Sequence, residues 1–275
     1  SPRSSEGAGS ELFRVDVLNG RRTSLGRAPK ENCNITLDQD KQARFAICYS
    51  SRNEDGEFDE RSELYRRDGR EWTLVNASAT GGKHLDIVNT ASDGTVFVTQ
   101  DDGSAPASIG TLDTATGQFK SLFQPEDAEI SRYIWSTDDT ALLAVVTEAG
   151  APAVSLIDED HADAEIYASL ASAFEGQLVD FSSHTSDGKK IVVSVSGDAN
   201  PGELYLYDRD SGKARFLMSR RPQLDKGAMA TVKPFSFTAR DGKRIHAYLT
   251  VPHGSDGKNL PLIVNPHGGP IGPRD

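Results

Sequence analysis

One short pattern returns five times along this chain: an apolar strand-like run, an Asp, a polar turn and a second strand-like run. The copies are Leu12-Phe-Arg-Val-Asp16, Leu64-Tyr-Arg-Arg-Asp68, Ile109-Gly-Thr-Leu-Asp113, Val154-Ser-Leu-Ile-Asp158 and Leu204-Tyr-Leu-Tyr-Asp208. Their Asp residues stand 52, 45, 45 and 50 residues apart. Ahead of four of them lies another hairpin signal, with polar turns at 38–42, 92–94, 137–139 and 186–189 leading into β-rich runs at 43–49, 95–99, 141–147 and 191–195. Two hairpins per period make a four-stranded unit, and four short strands every 45 to 50 residues are what a β-propeller blade requires. Asp-Gly and Asp-Asp turns suit such hairpins because they tolerate the partly left-handed backbone that joins antiparallel strands. An irregular β-sandwich also has frequent turns, but nothing in its architecture calls for this period.

The pattern predicts four full blades plus the outer edge of a fifth across residues 11–220, after a Ser/Gly/Pro-rich frayed end at 1–10. At Arg220 the repeat stops. Residues 221–234 read as a linker with mild helical potential, and a new set of strands opens at Phe235. A hairpin turn falls at 240–243, a second strand at 245–251 and a Pro/Gly-rich loop at 252–259. The run 262–265 (Leu-Ile-Val-Asn) reads as a third, buried strand, followed at once by Pro266-His267-Gly268-Gly269-Pro270. An α/β-hydrolase places half of its oxyanion hole in the loop after its third strand, where glycine lets a backbone N–H approach the developing oxyanion. For His-Gly-Gly alone, a plain Gly-rich turn is an equal reading.

The stretch 229–242 (Met-Ala-Thr-Val-Lys-Pro-Phe-Ser-Phe-Thr-Ala-Arg-Asp-Gly), the strand at 245–252 and the run 260–275 resemble the propeller-to-hydrolase junction of the prolyl oligopeptidase family. Within that family they are most similar to the acylaminoacyl-peptidase and dipeptidyl-aminopeptidase-like branch. The resemblance implies a serine peptidase of short peptides whose propeller covers an α/β-hydrolase active site. It implies Gly269 as an oxyanion N–H donor, Gly268 as its neighbour in the same turn, and His267 as a brace for that loop. It also implies that acidic propeller residues can hold a substrate's amino terminus, although the mixed-charge stretch 52–67 reads first as a solvated loop.

The chain contains no Gly-x-Ser-x-Gly, and the family order Ser, Asp, His puts the triad beyond Asp275. The expectation is therefore a fragment, inactive by itself, whose partners are a peptide substrate and the remainder of its own hydrolase domain. A non-catalytic propeller that binds proteins or peptides is the alternative, and it gives no reason for the chain to continue through 235–275.

Forty-one acidic against thirty basic side chains give a net charge of -11, which argues against nucleic acid as a partner. The longest apolar run, 141–146, is far short of a membrane span. His84, His161, His184, His246 and His253 lack zinc-ligand spacing, so no metal and no cofactor is expected. Asn34 and Asn76 fit the glycosylation acceptor pattern, which recurs by chance. Cys33 and Cys48 should face each other across the hairpin turning at 38–42, and as opposed residues of adjacent strands they are expected to be free thiols. Compartment and homo-oligomerisation stay open at this level.

Overall fold

A computed structural model of the chain describes residues 9–52, 58–78 and 83–266. It opens with a hairpin of β1 (Glu11–Val15) and β2 (Arg22–Arg27), which pair with no other described strand. Three four-stranded antiparallel sheets follow the meander order that the repeat predicts. The first is β3 (Cys33–Leu37), β4 (Ala43–Arg52), β5 (Phe58–Asp68) and β6 (Glu71–Ala77). The second is β7 (His84–Thr90), β8 (Val96–Asp101), β9 (Ser108–Asp113) and β10 (Gln118–Phe123).

The next sheet departs from the expected four strands. It holds β11 (Ile130–Trp135), β12 (Leu142–Thr147) and β13 (Ala153–Leu156), and where a fourth strand would run the chain forms α1 (Ala162–Ala173). The sequence explains the exchange: Ala-Asp-Ala-Glu-Ile-Tyr-Ala-Ser-Leu-Ala-Ser-Ala is rich in helix formers, and His161 accepts from the Asp163 N–H at 3.1 Å as its N-cap. Tyr167 and Leu170, one turn apart, are buried. The last blade is again four-stranded: β14 (Leu178–His184), β15 (Lys190–Gly197), β16 (Asn200–Asp208) and β17 (Lys213–Ser219).

Asp68, Asp113 and Asp208 each end the third strand of their sheet, and Asp158 follows β13 without an outer strand behind it. Their chemistry is that of a turn-former. Asp113 Oδ1 accepts from the Ala115 and Thr116 N–H groups at 2.8 and 3.2 Å, and Asp208 Oδ1 from Ser211 N–H at 3.1 Å. At Gly117 and Gly212 the chain takes φ of 72° and 64°, which closes both turns.

The core lies in the seams between blades. Phe45, Ile47 and Leu64 meet Leu85, Val96, Val98 and Leu112 in the first seam. In the third, Leu143 and Val146 meet Tyr167 and Leu170 of α1 and Val179, Ile191 and Val193 beyond. β12 serves two seams, since Leu142 and Val145 pack instead with Phe97 and Ile109. That is why 141–146 is a continuous apolar run: the strand is buried on both faces.

After β17 a single 3-10 turn, Lys226–Ala228, leads to a hairpin of β18 (Thr231–Thr238) and β19 (Arg244–Val251). The first strand thus begins four residues before the expected Phe235, within the stretch read as linker. The third strand expected at 262–265 does not form. Leu262, Ile263 and Val264 are 79%, 87% and 78% exposed, because a strand needs a hydrogen-bonding neighbour and no described residue supplies one.

The cysteine expectation is half right. Cys33 and Cys48 are directly opposed in the β3–β4 register, but their sulfurs are bonded and no free cysteine remains among the described residues.

Candidate functional site

His267, Gly268 and Gly269 lie outside the described residues, so the site is approached from the hairpin that leads to them. β18–β19 is fastened to the blades by polar contacts. Tyr248 donates its hydroxyl to the Gly150 carbonyl at 2.9 Å, and the Val232 N–H donates to Asp198 at 3.0 Å. Arg244 reaches Asp127 at 3.5 Å, and in the 3-10 turn ahead of the hairpin Lys226 pairs with Glu203. Gly150 lies between β12 and β13, and Asp198 between β15 and β16. Both are connections between the second and third strands of a blade, so the hairpin docks on that end of the array. In the first blade the same connection is the mixed-charge stretch. It begins as a paired arm: β4 and β5 stay paired out to Arg52 and Phe58, with 53–57 outside the described residues.

At the base of that arm stands a cluster the sequence did not disclose. His84 Nδ1 lies 2.6 Å from Ser62 Oγ, and His84 Nε2 lies 2.8 Å from Asp86 Oδ2. Tyr49 donates its hydroxyl to Asp86 Oδ1 at 2.7 Å. The hydrogen bond from His84 holds the Asp86 carboxyl below the usual range, with Tyr49 adding to it against the opposing effect of burial. Burial foremost, and then the Asp86 carboxylate, push the Tyr49 hydroxyl upward.

The connectivity is that of Ser, His and acid, yet the geometry does not suit acyl transfer. Ser62 is 3% exposed, so a scissile carbonyl has no approach to its Oγ, and its own N–H is spent on Ser78 Oγ at 2.7 Å. These residues join two blades. Tyr49 and Ser62 belong to the first, His84 and Asp86 to the second. Sequence spacing could not find them, since their contact exists only when the blades meet.

Of the other histidines, His161 lies 3.3 Å from Asp138 Oδ2 and caps α1, and His184 Nδ1 lies 3.1 Å from the Thr185 carbonyl. His246 and His253 belong to β19 and the loop after it. Among the described residues no three His, Cys, Asp or Glu side chains are grouped so as to hold a metal ion.

Successive antiparallel blades sealed by apolar seams, with a further hairpin docked on one end, define a β-propeller-type array. Solved structures of that type match the chain in fold: puromycin hydrolase at 20% identity, covering 86% of this chain and 36% of that one with a TM-score of 0.52. Prolyl oligopeptidase B from Galerina marginata matches at 12% identity, 88% and 35% coverage and a TM-score of 0.52. A putative dipeptidyl aminopeptidase IV from Bacteroides ovatus matches at 11% identity, 90% and 38% coverage and a TM-score of 0.50. Among curated proteins, dipeptidyl peptidase family member 6 of Caenorhabditis elegans is 30% identical over 131 residues, which are 48% of this chain and 17% of that protein. No family model matches the chain. The chain spans little more than a third of the solved relatives' length and about a sixth of the curated relative's.

Proposed function

We propose that this chain is the propeller and junction portion of a serine peptidase acting on short peptides, with the blades at 11–220 gating access. Residues 221–234 form the junction, and residues 235–275 begin the α/β-hydrolase domain. Gly269 contributes a backbone N–H to the tetrahedral intermediate, with Gly268 its neighbour in the same turn and His267 a brace for that loop. The nucleophile and its base come from the remainder of that domain, so the 275 residues have no acyl-enzyme route by themselves.

The observation that carries this reading is the docked β18–β19 hairpin, which leads from the last blade toward the apolar segment 262–264 and, after Asn265-Pro266, to His267-Gly-Gly-Pro270. An interaction propeller needs no such continuation. With three apolar side chains exposed, residues 262–264 are ready to become a central strand once flanking strands cover them.

The test is Gly269→Ala in the whole protein. Displacing one oxyanion donor should raise the barrier by about 2.7–4 kcal/mol, lowering kcat by roughly two to three orders of magnitude with a smaller change in KM. A Gly269→Ala protein that melts like its parent and keeps parental turnover on a short peptide refutes the assignment.

A further inference from the structure

We infer that Cys33–Cys48 is a permanent structural disulfide, and that this chain matures and works in an oxidising compartment. The bond joins opposed residues of β3 and β4 and closes a loop with a sequence separation of 15. β3 is the end strand of its sheet, five residues long and, among the described strands, paired only with β4. A short end strand frays readily, because each lost ladder bond is replaced by water. The disulfide pins β3 at its first residue, where the chain arrives from the β1–β2 hairpin. That hairpin hangs on the same blade through Arg67, which donates to the Leu25 carbonyl at 2.5 Å, and Trp72, whose Nε1–H donates to the Arg27 carbonyl at 2.8 Å. Those contacts come from β5 and β6, so releasing β3 would open this edge of the sheet while the hairpin ahead of it stays held to the outer strands.

The surroundings make the bond hard to open. Cys48 is 4% exposed in a cluster with Ala46 and Tyr65, while Cys33 is only partly covered, beside Ile35 and Trp72. An external thiolate can reach only the Cys33 sulfur, and the leaving group is then Cys48. Its thiolate would form in an apolar cluster, at the position opposite Glu63, whose carboxylate already holds the Lys30 ammonium at 2.5 Å. Burial disfavours that thiolate and makes it a slow leaving group. The pair also lacks the Cys-x-x-Cys spacing of a redox catalyst. Forming the bond removes two protons and two electrons from the thiols. They pass to the disulfide of an oxidising thiol–disulfide oxidoreductase, which leaves as a dithiol. Such oxidants persist outside the reducing cytosol.

Differential alkylation with mass spectrometry tests this in the whole protein, harvested from the cells that make it into a thiol-blocking reagent. Cys33 and Cys48 should escape the first label and take the second only after denaturation and reduction. Both cysteines labelled at harvest would overturn the inference. Native protein in dithiothreitol should keep the bond at least tenfold longer than protein in denaturant, and equal rates would refute the shielding argument. The Cys33→Ser/Cys48→Ser double variant should melt about 6–12 °C lower, and an unchanged melting point would refute the structural role. None of the three readouts depends on peptidase activity, so failure here leaves the proposed function standing, and the reverse holds too.

Discussion

Asp163 holds two blades together, and removing its carboxylate should be among the most damaging single changes in the array. It sits in the first turn of α1, 2% exposed. Its Oδ2 accepts from the Thr137 N–H at 2.7 Å and the Thr137 hydroxyl at 2.9 Å, and its Oδ1 takes the Arg209 guanidinium. Arg209 in turn donates through Nε to the Gly188 carbonyl at 2.5 Å. One carboxylate thus ties the β11–β12 turn, α1 and two turns of the last blade. Asp163→Ala strands the half-buried Thr137 N–H and a guanidinium, and breaking a buried pair from one side costs about 3–5 kcal/mol. The Arg209 side chain keeps 24% of its surface, so water recovers part of the loss and about 3 kcal/mol is expected. That is roughly a 150-fold fall in the folded-to-unfolded ratio. Urea unfolding should show it, and hydrogen exchange should show protection lost first in α1 and β14. Burial raises the Asp163 pKa, but the hydrogen bonds from Thr137 and Arg209 outweigh it and leave the folded value depressed. The associated stability is therefore present above the unfolded value of about 4 and is lost as pH falls through the lower folded value, a slope that Asp163→Asn should flatten. If Asp163→Ala costs under about 1 kcal/mol, and a cycle with Arg209→Met shows no coupling, the reasoning fails.

Three other outcomes follow from the geometry. Gly110 in β9 has no room for a methyl group: a Cβ would stand 2.2 Å from the Lys120 carbonyl oxygen and 2.7 Å from the Phe119 ring. Gly110→Ala should therefore break the β9–β10 pairing and cost about 1–3 kcal/mol by thermal melting. Leu143→Ala, at a position 0% exposed, should cost about 2–5 kcal/mol in urea titration, and a value below 1 would show that the third seam is loosely packed. A fluorophosphonate probe should leave the 275-residue chain unlabelled at every serine, and label on Ser62 would show that the His84–Asp86 pair activates it after all.

The blade period was legible because each Asp that starts an outer turn is a local signal, recurring at nearly constant spacing whatever surrounds it. The helix in the third blade was not, because the same spacing invited a fourth strand where residues 162–173 carry helix formers. Periodicity of the repeat hid periodicity of the segment. The strand at 262–265 has strand composition and no described partner, since a β-strand is a property of a pair and not of a run. The opposition of Cys33 and Cys48 could be counted outward from the turn, but their oxidation state could not. Ser62, His84 and Asp86 carried no signal, as their meeting depends on how one blade seats against the next. The oxyanion assignment at Gly269 rests wholly on the motif.

The three-stranded blade bears on how the molecule behaves in a crowded solution. β13 presents an open row of backbone donors and acceptors, with Val154 and Leu156 43% and 37% exposed, and such a row can template pairing with a neighbouring chain. It is kept to four residues, preceded by Pro152 and followed by Asp158, Glu159 and Asp160. Three carboxylates on a chain already at -11 repel a like edge from another molecule. Colloidal stability is thereby tied to ionisation and screening: acid or high salt removes the repulsion, and clumping should begin at this edge before the blades unfold.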